Sequence, residues 1–328
     1  MTTLYDVAAI GNAIVDVISP ASDDFLSDRG LIKGTMRLID DVEAQALYAR
    51  MAAAVEASGG SACNSIAGLS SFGGRGAFIG KIGVDELGAV FTHDIEALGV
   101  RFGGVPLTDG VTGRCLINVT PDGERTMTTC LGAAALLEPS DVDSAIIEAA
   151  AVVYLEGYLF DPEPARRAFA KAAGLARASG RLIALTLSDA FVVERHRGAL
   201  LGFIESEVDI LFANEAEITA LYQTKDFDEA VAAARGKAKI SAITRGKQGS
   251  TIISGDETHH VNAVPIEKVV DTTGAGDQYA AGFLHGLARG LSLDHCGRLG
   301  SLAAAEVIAH YGPRPQVSLR DLATQAGL

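Results

Sequence analysis

Residues 270–277, VDTTGAGD, decide both the fold and the chemistry predicted for this chain. A β-branched run, two threonines and two glycines lead into Asp277, and a helical pattern follows over residues 278–289. Such a turn directs free backbone N–H groups and the positive end of a helix dipole at one point, which makes an anion site. Asp277 could simply cap the helix, but a cap needs no glycines, whereas close approach of the main chain to a bound group does. We therefore predict that a proton or a phosphoryl group moves at Asp277.

Short apolar segments alternate with Ala-rich helical patterns along the chain. Strands are predicted at residues 7–10, 77–79, 151–155, 182–187, 210–213 and 240–244, and helices at about 85–98, 164–178, 194–206 and 215–221. From residue 151 onward the β-α-β-α rhythm predicts a parallel sheet covered by helices on both faces.

Three antiparallel pieces interrupt this rhythm. Residues 36–39 form an isolated predicted strand, and a hairpin is predicted over residues 114–129 around Asp122-Gly123. A second hairpin is predicted over residues 250–263 around Gly255-Asp256. We expect these pieces to lie outside the parallel sheet. The first two would form a small β-sheet lid, built from segments of about 12–40 and 102–131 within a single domain, residues 1–328.

The composition indicates a globular protein and excludes several partners. Hydrophobic residues make up 48% of the chain and charged residues 21%. A net charge of −14 argues against nucleic acid or an anionic membrane, although local dipoles and a metal ion still allow single nucleotides to bind. Four scattered cysteines favour reduced thiols, and neither a signal peptide nor a membrane helix is evident, so a cytoplasmic location is predicted.

Three further segments place polar groups where strands or helices are predicted to meet. Asn12 and Asp16 follow the first strand and suit a pair of hydroxyls, or ordinary turn chemistry. Residues 59–64, GGSACN, open a helix and suit a polyhydroxylated ligand, or form a flexible loop with a plain cap. Asn214 and Glu217 follow a strand and suit hydrated Mg²⁺ or a phosphate, but a capping box fits them equally well.

Together and in this order, these segments resemble the ribokinase-like (PfkB) family of sugar and nucleoside kinases, nearly end to end. Residues 271–277 resemble the C-terminal signature of the family, residues 59–88 are similar to its N-terminal signature, and Asn214-x-x-Glu217 matches its metal motif. Residues 244–250 resemble the segment that lines the nucleotide site. No Walker A sequence is present, which excludes a P-loop kinase. The resemblance implies an α/β fold, a three-layer α/β/α sandwich with a mainly parallel central sheet and a small β-sheet lid.

The resemblance also implies a role for each matching residue. Asp277 would be the general base, beside an anion hole for the transferred phosphoryl group formed by Gly274, Ala275 and Gly276. Substrate hydroxyls would bind at Asn12, Asp16, Gly59, Gly60 and Asn64. ATP, the phosphoryl donor, would bind at Asn214, Thr244, Gly246, Gly249 and Thr273. Mg²⁺ would be held, largely through water, by Asn214 and Glu217. A monovalent cation such as K⁺ would lie at Asp271 and Thr273.

The sequence predicts the molecule that accepts the phosphoryl group less precisely than it predicts the reaction. The spacing of Asn12 and Asp16 resembles that in adenosine kinases, and Arg125 is placed like an arginine that these enzymes use near the phosphates; an exposed hairpin arginine is the alternative. Adenosine is therefore the favoured acceptor, and a free sugar (ribose, fructose or a keto-deoxy sugar acid) is the alternative. A non-catalytic nucleotide-binding regulatory protein is a remote third reading.

Two residues depart from the family pattern. Ile66 stands where a smaller residue is usual, and Gln278 follows Asp277 where a small, hydroxylic or apolar residue is usual. The chain contains no Trp, so Phe or Tyr must stack on any purine. We expect a monomer or a homodimer formed through the lid.

Overall fold

The computed structural model describes residues 3–328, which form sixteen β-strands and twelve α-helices. The strands are β1 Tyr5–Ile10, β2 Ile14–Pro20, β3 Met36–Leu38, β4 Val55–Gly59, β5 Gly76–Ile79, β6 Lys81–Gly83, β7 Arg101–Phe102, β8 Val105–Leu107, β9 Gly113–Val119, β10 Arg125–Cys130, β11 Ala150–Glu156, β12 Leu182–Thr186, β13 Ile210–Asn214, β14 Ile240–Thr244, β15 Ser250–Ser254 and β16 Glu257–Val261. The helices are α1 Asp23–Ser27, α2 Asp41–Tyr48, α3 Ser61–Ser71, α4 Glu86–Ala97, α5 Ser144–Ala149, α6 Glu163–Ala178, α7 Ala190–Glu207, α8 Glu215–Tyr222, α9 Phe227–Ala234, α10 Ala275–Ala288, α11 Leu293–Val307 and α12 Leu319–Gln325.

Nine strands form the central sheet, in the order β16-β15-β14-β13-β12-β11-β1-β5-β7. All neighbours from β14 to β7 pair in parallel, as predicted. The expectation that the hairpin of residues 250–263 lies outside this sheet was wrong. Its strands, β15 and β16, add antiparallel to the edge strand β14. An edge strand offers a row of unpaired N–H and C=O groups, and a hairpin can pair with them without a crossover helix.

Alternate residues of the central strands pack into two separate cores. On β1, Ala8 and Ile10 face the layer of α5 to α9, whereas Val7 and Ala9 face the layer of α3, α4, α10 and α11. Since both faces are covered, the strands are apolar throughout rather than alternating with polar residues. This arrangement confirms the predicted α/β/α sandwich.

A second sheet of five strands, in the order β3-β10-β9-β2-β4, covers one end of the central sheet. We call it the lid sheet. Strands β3, β9 and β10 were predicted, but β2 and β4 were not, and β4 lies outside the two segments predicted for the lid. The alternative reading of Asp16 as a turn residue is wrong, because Asp16 lies inside β2, paired with Ala57 of β4 and Cys115 of β9.

The remaining composition-based expectations concern cysteines and membranes. All four cysteines are buried and free. Within residues 3–328, no helix combines the length and the apolar character that crossing a bilayer requires.

Candidate active site

A cavity of about 890 Å³ lies between the lid sheet and the C-terminal ends of the central strands. This is the edge at which open parallel sheets form their ligand crevices, because the loops that follow the strands diverge there. The central strands and their loops contribute Asn12, Glu156, Thr186, Asn214 and Thr244, and the start of α10 contributes residues 272–277. The lid sheet contributes Asp16 and an apolar wall of Met36, Leu38, Ile117 and Met127.

Most of the predicted site residues meet in this one cavity. Those that line it are Asn12, Asp16, Gly60, Asn64, Asn214, Glu217, Thr244, Thr273, Gly274, Ala275, Gly276 and Asp277. Segments more than 250 positions apart along the chain are thus brought together. The predicted residues that do not line the cavity are Gly59, Arg125, Gly246, Gly249 and Asp271.

The turn before Asp277 has the geometry expected of an anion site. Gly274 is the N-cap of α10 with φ 77°, and no side chain caps the helix. A side chain on Gly274 would be strained by that φ and would also lie 2.6 Å from Cβ of Pro313. The Ala275 N–H donates to the Thr272 carbonyl at 3.2 Å, whereas the N–H groups of Gly276 and Asp277 have no backbone acceptor within residues 3–328. The start of α10 therefore presents these two N–H groups and the positive end of the helix dipole to the cavity.

Two side chains of α3 hold the Asp277 carboxylate. Ser61 Oγ donates to Oδ1 at 2.6 Å, and Asn64 Nδ2 donates to Oδ2 at 3.3 Å. Desolvation by the surrounding protein raises the pKa of Asp277 to about 6, and the two hydrogen bonds oppose this rise. With a pKa of about 6, Asp277 remains about nine-tenths ionised at pH 7.

Three further carboxyl groups line the cavity and are buried. Burial raises the pKa of Asp16 to about 6, against the attraction of Arg314 and Arg125. It raises the pKa of Glu156 and of Glu217 to about 7 in each case. The repulsion of Asp277 adds to all three shifts. The cavity therefore contains several groups that titrate near neutrality, an arrangement typical of functional sites.

Asn214 and Glu217 form a reciprocal capping box at the start of α8. The amide Nδ2 and backbone N–H of Asn214 donate to the Glu217 carboxylate at 2.7 and 2.9 Å, and the Glu217 N–H donates to Asn214 Oδ1 at 2.9 Å. The capping interpretation is thus confirmed. A role towards Mg²⁺ is compatible with it, because each carboxylate oxygen keeps a free lone pair for a metal-bound water.

Arg125 forms a buried ion pair with Asp271 and is not an exposed hairpin residue. Its Nη2 lies 2.8 Å from Oδ2 of Asp271, and both side chains are almost fully buried. Within residues 3–328, no nitrogen of the guanidinium makes a directed hydrogen bond. The carboxylate of Asp271 also accepts from the N–H groups of Thr273 and Gly312, both at 3.0 Å.

Three other predicted residues, Gly59, Gly246 and Gly249, lie outside the cavity wall. Gly59 is the last residue of β4 and lies against Asp16; a Cβ there would be 2.4 Å from the Asp16 carboxyl carbon. Gly246 begins a 3₁₀ turn, Gly246–Gln248, after β14, and Gly249 follows it. Whether they contact a nucleotide stays a prediction.

Glu156 is the clearest residue that the sequence analysis missed. It ends β11, accepts from Asn12 Nδ2 at 2.6 Å, and accepts from the Ala62 and Asn12 N–H groups at 2.9 and 3.3 Å. The same reasoning that selected Asn214, a polar residue at the C-terminal end of a predicted strand, also applies to it. Ser61, Tyr158 and Phe191 line the cavity too, and were not selected.

A family model described as pfkB family carbohydrate kinase matches residues 31–319, most of the chain. The protein belongs to the pfkB family. It is accordingly a phosphotransferase that acts on an alcohol group, and the non-catalytic reading is set aside.

Several relatives of this pfkB kinase indicate its place in the family. A solved structure of adenosine kinase from Sinorhizobium meliloti is 51% identical and superposes with a TM-score of 0.93, covering 98% of this chain and 99% of that one. A structure described as a probable sugar kinase from Rhizobium etli is 48% identical, with a TM-score of 0.94 and 99% coverage of both chains. Adenosine kinase of Saccharomyces cerevisiae is 27% identical over 94% of this chain and 96% of its own length.

Proposed function

We propose that this kinase transfers the γ-phosphoryl group of ATP to a hydroxyl of a nucleoside, with adenosine as the favoured acceptor. The observation that carries the proposal is the position of Asp277. Its carboxylate lies on the first turn of α10, beside uncapped helix N–H groups and at the floor of a cavity lined by Asn12, Asp16 and Asn64. A carboxylate and an anion site placed this close suit a proton acceptor next to a phosphoryl group.

In the proposed reaction, Asp277 accepts the proton of the acceptor hydroxyl as that oxygen attacks the γ-phosphorus. A new O–P bond forms, the bond between the γ-phosphorus and the bridging oxygen breaks, and ADP leaves. The turn Gly274-Ala275-Gly276 and the free N–H groups at the start of α10 stabilise the charge that develops on the equatorial oxygens of the phosphoryl group. Asn12, Asp16 and Gly60 hold the other hydroxyls of the acceptor, so the attacking oxygen is aligned.

Mg²⁺ fits the same site, at Asn214 and Glu217. The donor set consists of hard oxygen atoms, and Mg²⁺ prefers a few carboxylate or water-mediated contacts together with the phosphates of a substrate. When bound, it neutralises charge on the β- and γ-phosphates. Within residues 3–328, no group of three His, Cys, Asp or Glu side chains is arranged to hold a metal ion by itself.

The apolar wall of the cavity supports a nucleoside over a free sugar. Met36, Leu38, Ile117 and Met127 of the lid sheet line the same cavity as Phe191 and Tyr158, which follow strands of the central sheet. A planar base can fill such a space, whereas a sugar would leave its hydroxyls facing carbon atoms without hydrogen-bond partners. The similarity to adenosine kinases over nearly the full chain also supports this choice.

A free-sugar kinase acting on ribose, fructose or a keto-deoxy sugar acid is the second candidate. The similarity to a structure described as a probable sugar kinase favours it. So does the density of polar groups around Asp277, which would suit the hydroxyls of a sugar acceptor equally well.

ATP consumption with Mg²⁺, measured across nucleosides and free sugars with and without K⁺, tests the proposal. We expect turnover with adenosine, and its loss by at least a hundredfold in Asp277→Asn with an unchanged melting temperature. Activity on one sugar and on no nucleoside would overturn the acceptor. Retention of most activity by Asp277→Asn would overturn the general base. Dependence on K⁺ would support the predicted cation at Asp271 and Thr273.

A further inference from the structure

The loop between α11 and α12 brings a distant arginine to the catalytic end of α3. Arg314 lies 250 positions from Asn64 in the sequence, and its side chain is 16% exposed. All three guanidinium nitrogens are engaged. Nε donates to Asn64 Oδ1 at 3.4 Å, Nη1 to Asp94 Oδ2 at 2.9 Å, and Nη2 to Cys63 Sγ at 3.3 Å.

We infer that Arg314 is a positioning residue for Asp277 and acts through the carboxamide of Asn64. The inference rests on the proposed function, in that Asp277 must be the base for its position to affect turnover. Arg314 makes no hydrogen bond with the Asp277 carboxylate, whose side-chain partners are Ser61 and Asn64. Its effect on Asp277 therefore depends on the side chain that lies between them. Arg314 also attracts the Asp16 carboxylate, which is proposed to bind the acceptor, and this second effect should change the KM of the acceptor.

Hydrogen-bond chemistry determines which way Asn64 points. An arginine only donates, so the group of Asn64 that faces Arg314 must be the oxygen. The amide nitrogen then faces Asp277 Oδ2, to which it donates at 3.3 Å. If the amide were flipped, two donors would face each other at Arg314 and two acceptors at Asp277. Arg314 thus selects the orientation in which Asn64 steadies the base.

The loop that carries Arg314 is itself fixed to the signature segment. Gln278 Nε2 donates to the Pro313 carbonyl at 2.9 Å and to the Asn64 carbonyl at 3.0 Å, and Gly312 N–H donates to Asp271 at 3.0 Å. Gln278 departs from the usual family pattern. Through these two hydrogen bonds it connects α10, on which it lies, to α3 and to the loop that carries Arg314.

The same arginine connects the base to the lid sheet. Asp94 Oδ2, which accepts from Arg314, also accepts from the Ser58 N–H at 2.8 Å and from Ser58 Oγ. Ser58 belongs to β4, an edge strand of the lid sheet. A continuous path of polar contacts thus runs from Ser58 through Asp94, Arg314 and Asn64 to Asp277, and it places the lid strand and the base in one network.

A double-mutant cycle tests the inference. We compare Arg314→Met, Asn64→Ala and the double variant for kcat, for KM of ATP and for KM of the acceptor. Arg314→Met is expected to lower kcat about tenfold with KM of ATP within twofold, since Arg314 does not touch the nucleotide. In the Asn64→Ala background, Arg314→Met should have almost no further effect on kcat, because the side chain through which Arg314 acts on Asp277 is absent.

Additive losses in the cycle would overturn the inference, because they would show that Arg314 acts independently of Asn64. Arg320→Met is the matched control: Arg320 lies in the same C-terminal segment, donates to the Phe72 carbonyl and does not contact the cavity, so its kcat should be unchanged. If Arg314→Met unfolds, Arg314→Lys replaces it. Lysine keeps the charge, but its three donors lie on one nitrogen and cannot reproduce the planar fork that reaches Asn64, Asp94 and Cys63 together. A kcat like that of the parent protein would therefore also overturn the inference.

Asp277→Asn, measured alongside, separates this inference from the proposed function. If Asp277→Asn retains turnover, the general-base assignment fails, and with it the premise of the inference. If Asp277 is required while the cycle is additive, the inference alone fails.

Discussion

Arg125 on the lid strand β10 and Asp271 at the start of the signature segment form an ion pair of 2.8 Å, with both side chains buried. The pair joins the lid sheet to the loop that precedes the anion site. Its position also explains why Arg125 does not line the cavity: its charge is directed at Asp271. A contact with bound phosphates, which the resemblance to adenosine kinases implies, would require this pair to rearrange.

Arg125→Met should destabilise the protein. The change leaves Asp271 buried without its cation, for which a cost of about 3 kcal/mol in the free energy of unfolding is expected. Urea denaturation measures it, and the Arg125→Met/Asp271→Asn double variant should recover part of the loss, since the uncompensated charge is removed. Equal stability of Arg125→Met and the parent protein would show that the pair contributes nothing.

Turnover should fall in acid with a midpoint near pH 6. In its proposed role as general base, Asp277 must be ionised to accept a proton. Because burial raises its pKa to about 6, kcat/KM should decline as the pH falls through that value. Asp16, Glu156 and Glu217 titrate in the same cavity, and their protonation broadens the limb. A profile of kcat/KM between pH 5 and 8 measures the midpoint.

Ser61→Ala should move that acid limb to higher pH. The variant removes a hydrogen bond of 2.6 Å that favours the ionised form of Asp277, so the carboxylate protonates more readily. Ser71→Ala, on the same helix but bonded only to residues 317 and 319, is the control and should leave the limb in place. An unshifted midpoint in Ser61→Ala would contradict the assignment of the limb to Asp277.

Glu156→Gln should make stability less dependent on pH. Burial raises the pKa of Glu156 to about 7, so the folded protein binds the proton more tightly than the unfolded chain does. The contribution of Glu156 to the free energy of unfolding is therefore fully present below about pH 4.5. As the pH rises from about 4.5 to 7, up to about 3 kcal/mol of that contribution is lost. Denaturation at pH 5 and pH 7.5 should show a smaller difference in the variant. If the stability difference between pH 5 and pH 7.5 is the same in Glu156→Gln and in the parent protein, Glu156 is not the source of the pH dependence.

Phe191→Ala should weaken nucleoside binding selectively. Phe191 is 69% exposed on the first turn of α7, and its ring borders the cavity, where a base can cover it. Loss of ring contact is worth about 1 kcal/mol, roughly a fivefold rise in KM for adenosine. Tyr48→Ala removes an exposed aromatic outside the cavity and should change nothing. A rise in KM for ATP but not for adenosine would assign Phe191 to the other substrate.

Most of the central sheet and the glycine-rich turn before Asp277 could be predicted because their signals are local. The apolar parallel strands and the glycine-rich turn before Asp277 are continuous in the sequence, and the six predicted strands lie in the central sheet. Strand β7 was not predicted, and β15 and β16 were expected outside the sheet. Strand β2 was missed because Asp16 and Asn12 suggested ligand chemistry in a turn. Its strand identity comes from pairing with β9, which lies about a hundred positions away.

The supporting residues could not be predicted, because their roles arise only from packing. Nothing near Arg314 in the sequence indicates that it reaches Asn64, and nothing near Arg125 indicates burial against Asp271. The raised pKa of Asp277 has the same origin: the sequence shows a carboxylate, but only the folded protein removes its water. Glu156 is different, since its place after a strand was visible and was overlooked.

The four carboxyl groups with raised pKa values that line the cavity, those of Asp16, Glu156, Glu217 and Asp277, make ligand binding a proton-exchange reaction. With pKa values of about 6 to 7, the empty site holds a fractional number of protons at neutral pH. A metal ion near Glu217 favours its ionised form, whereas phosphates near Asp277 favour its protonated form, so the number of protons released differs from one ligand to another. The heat of binding measured by calorimetry will consequently depend on the ionisation enthalpy of the buffer. Affinities for nucleosides and for sugars are comparable only when they are determined at one pH.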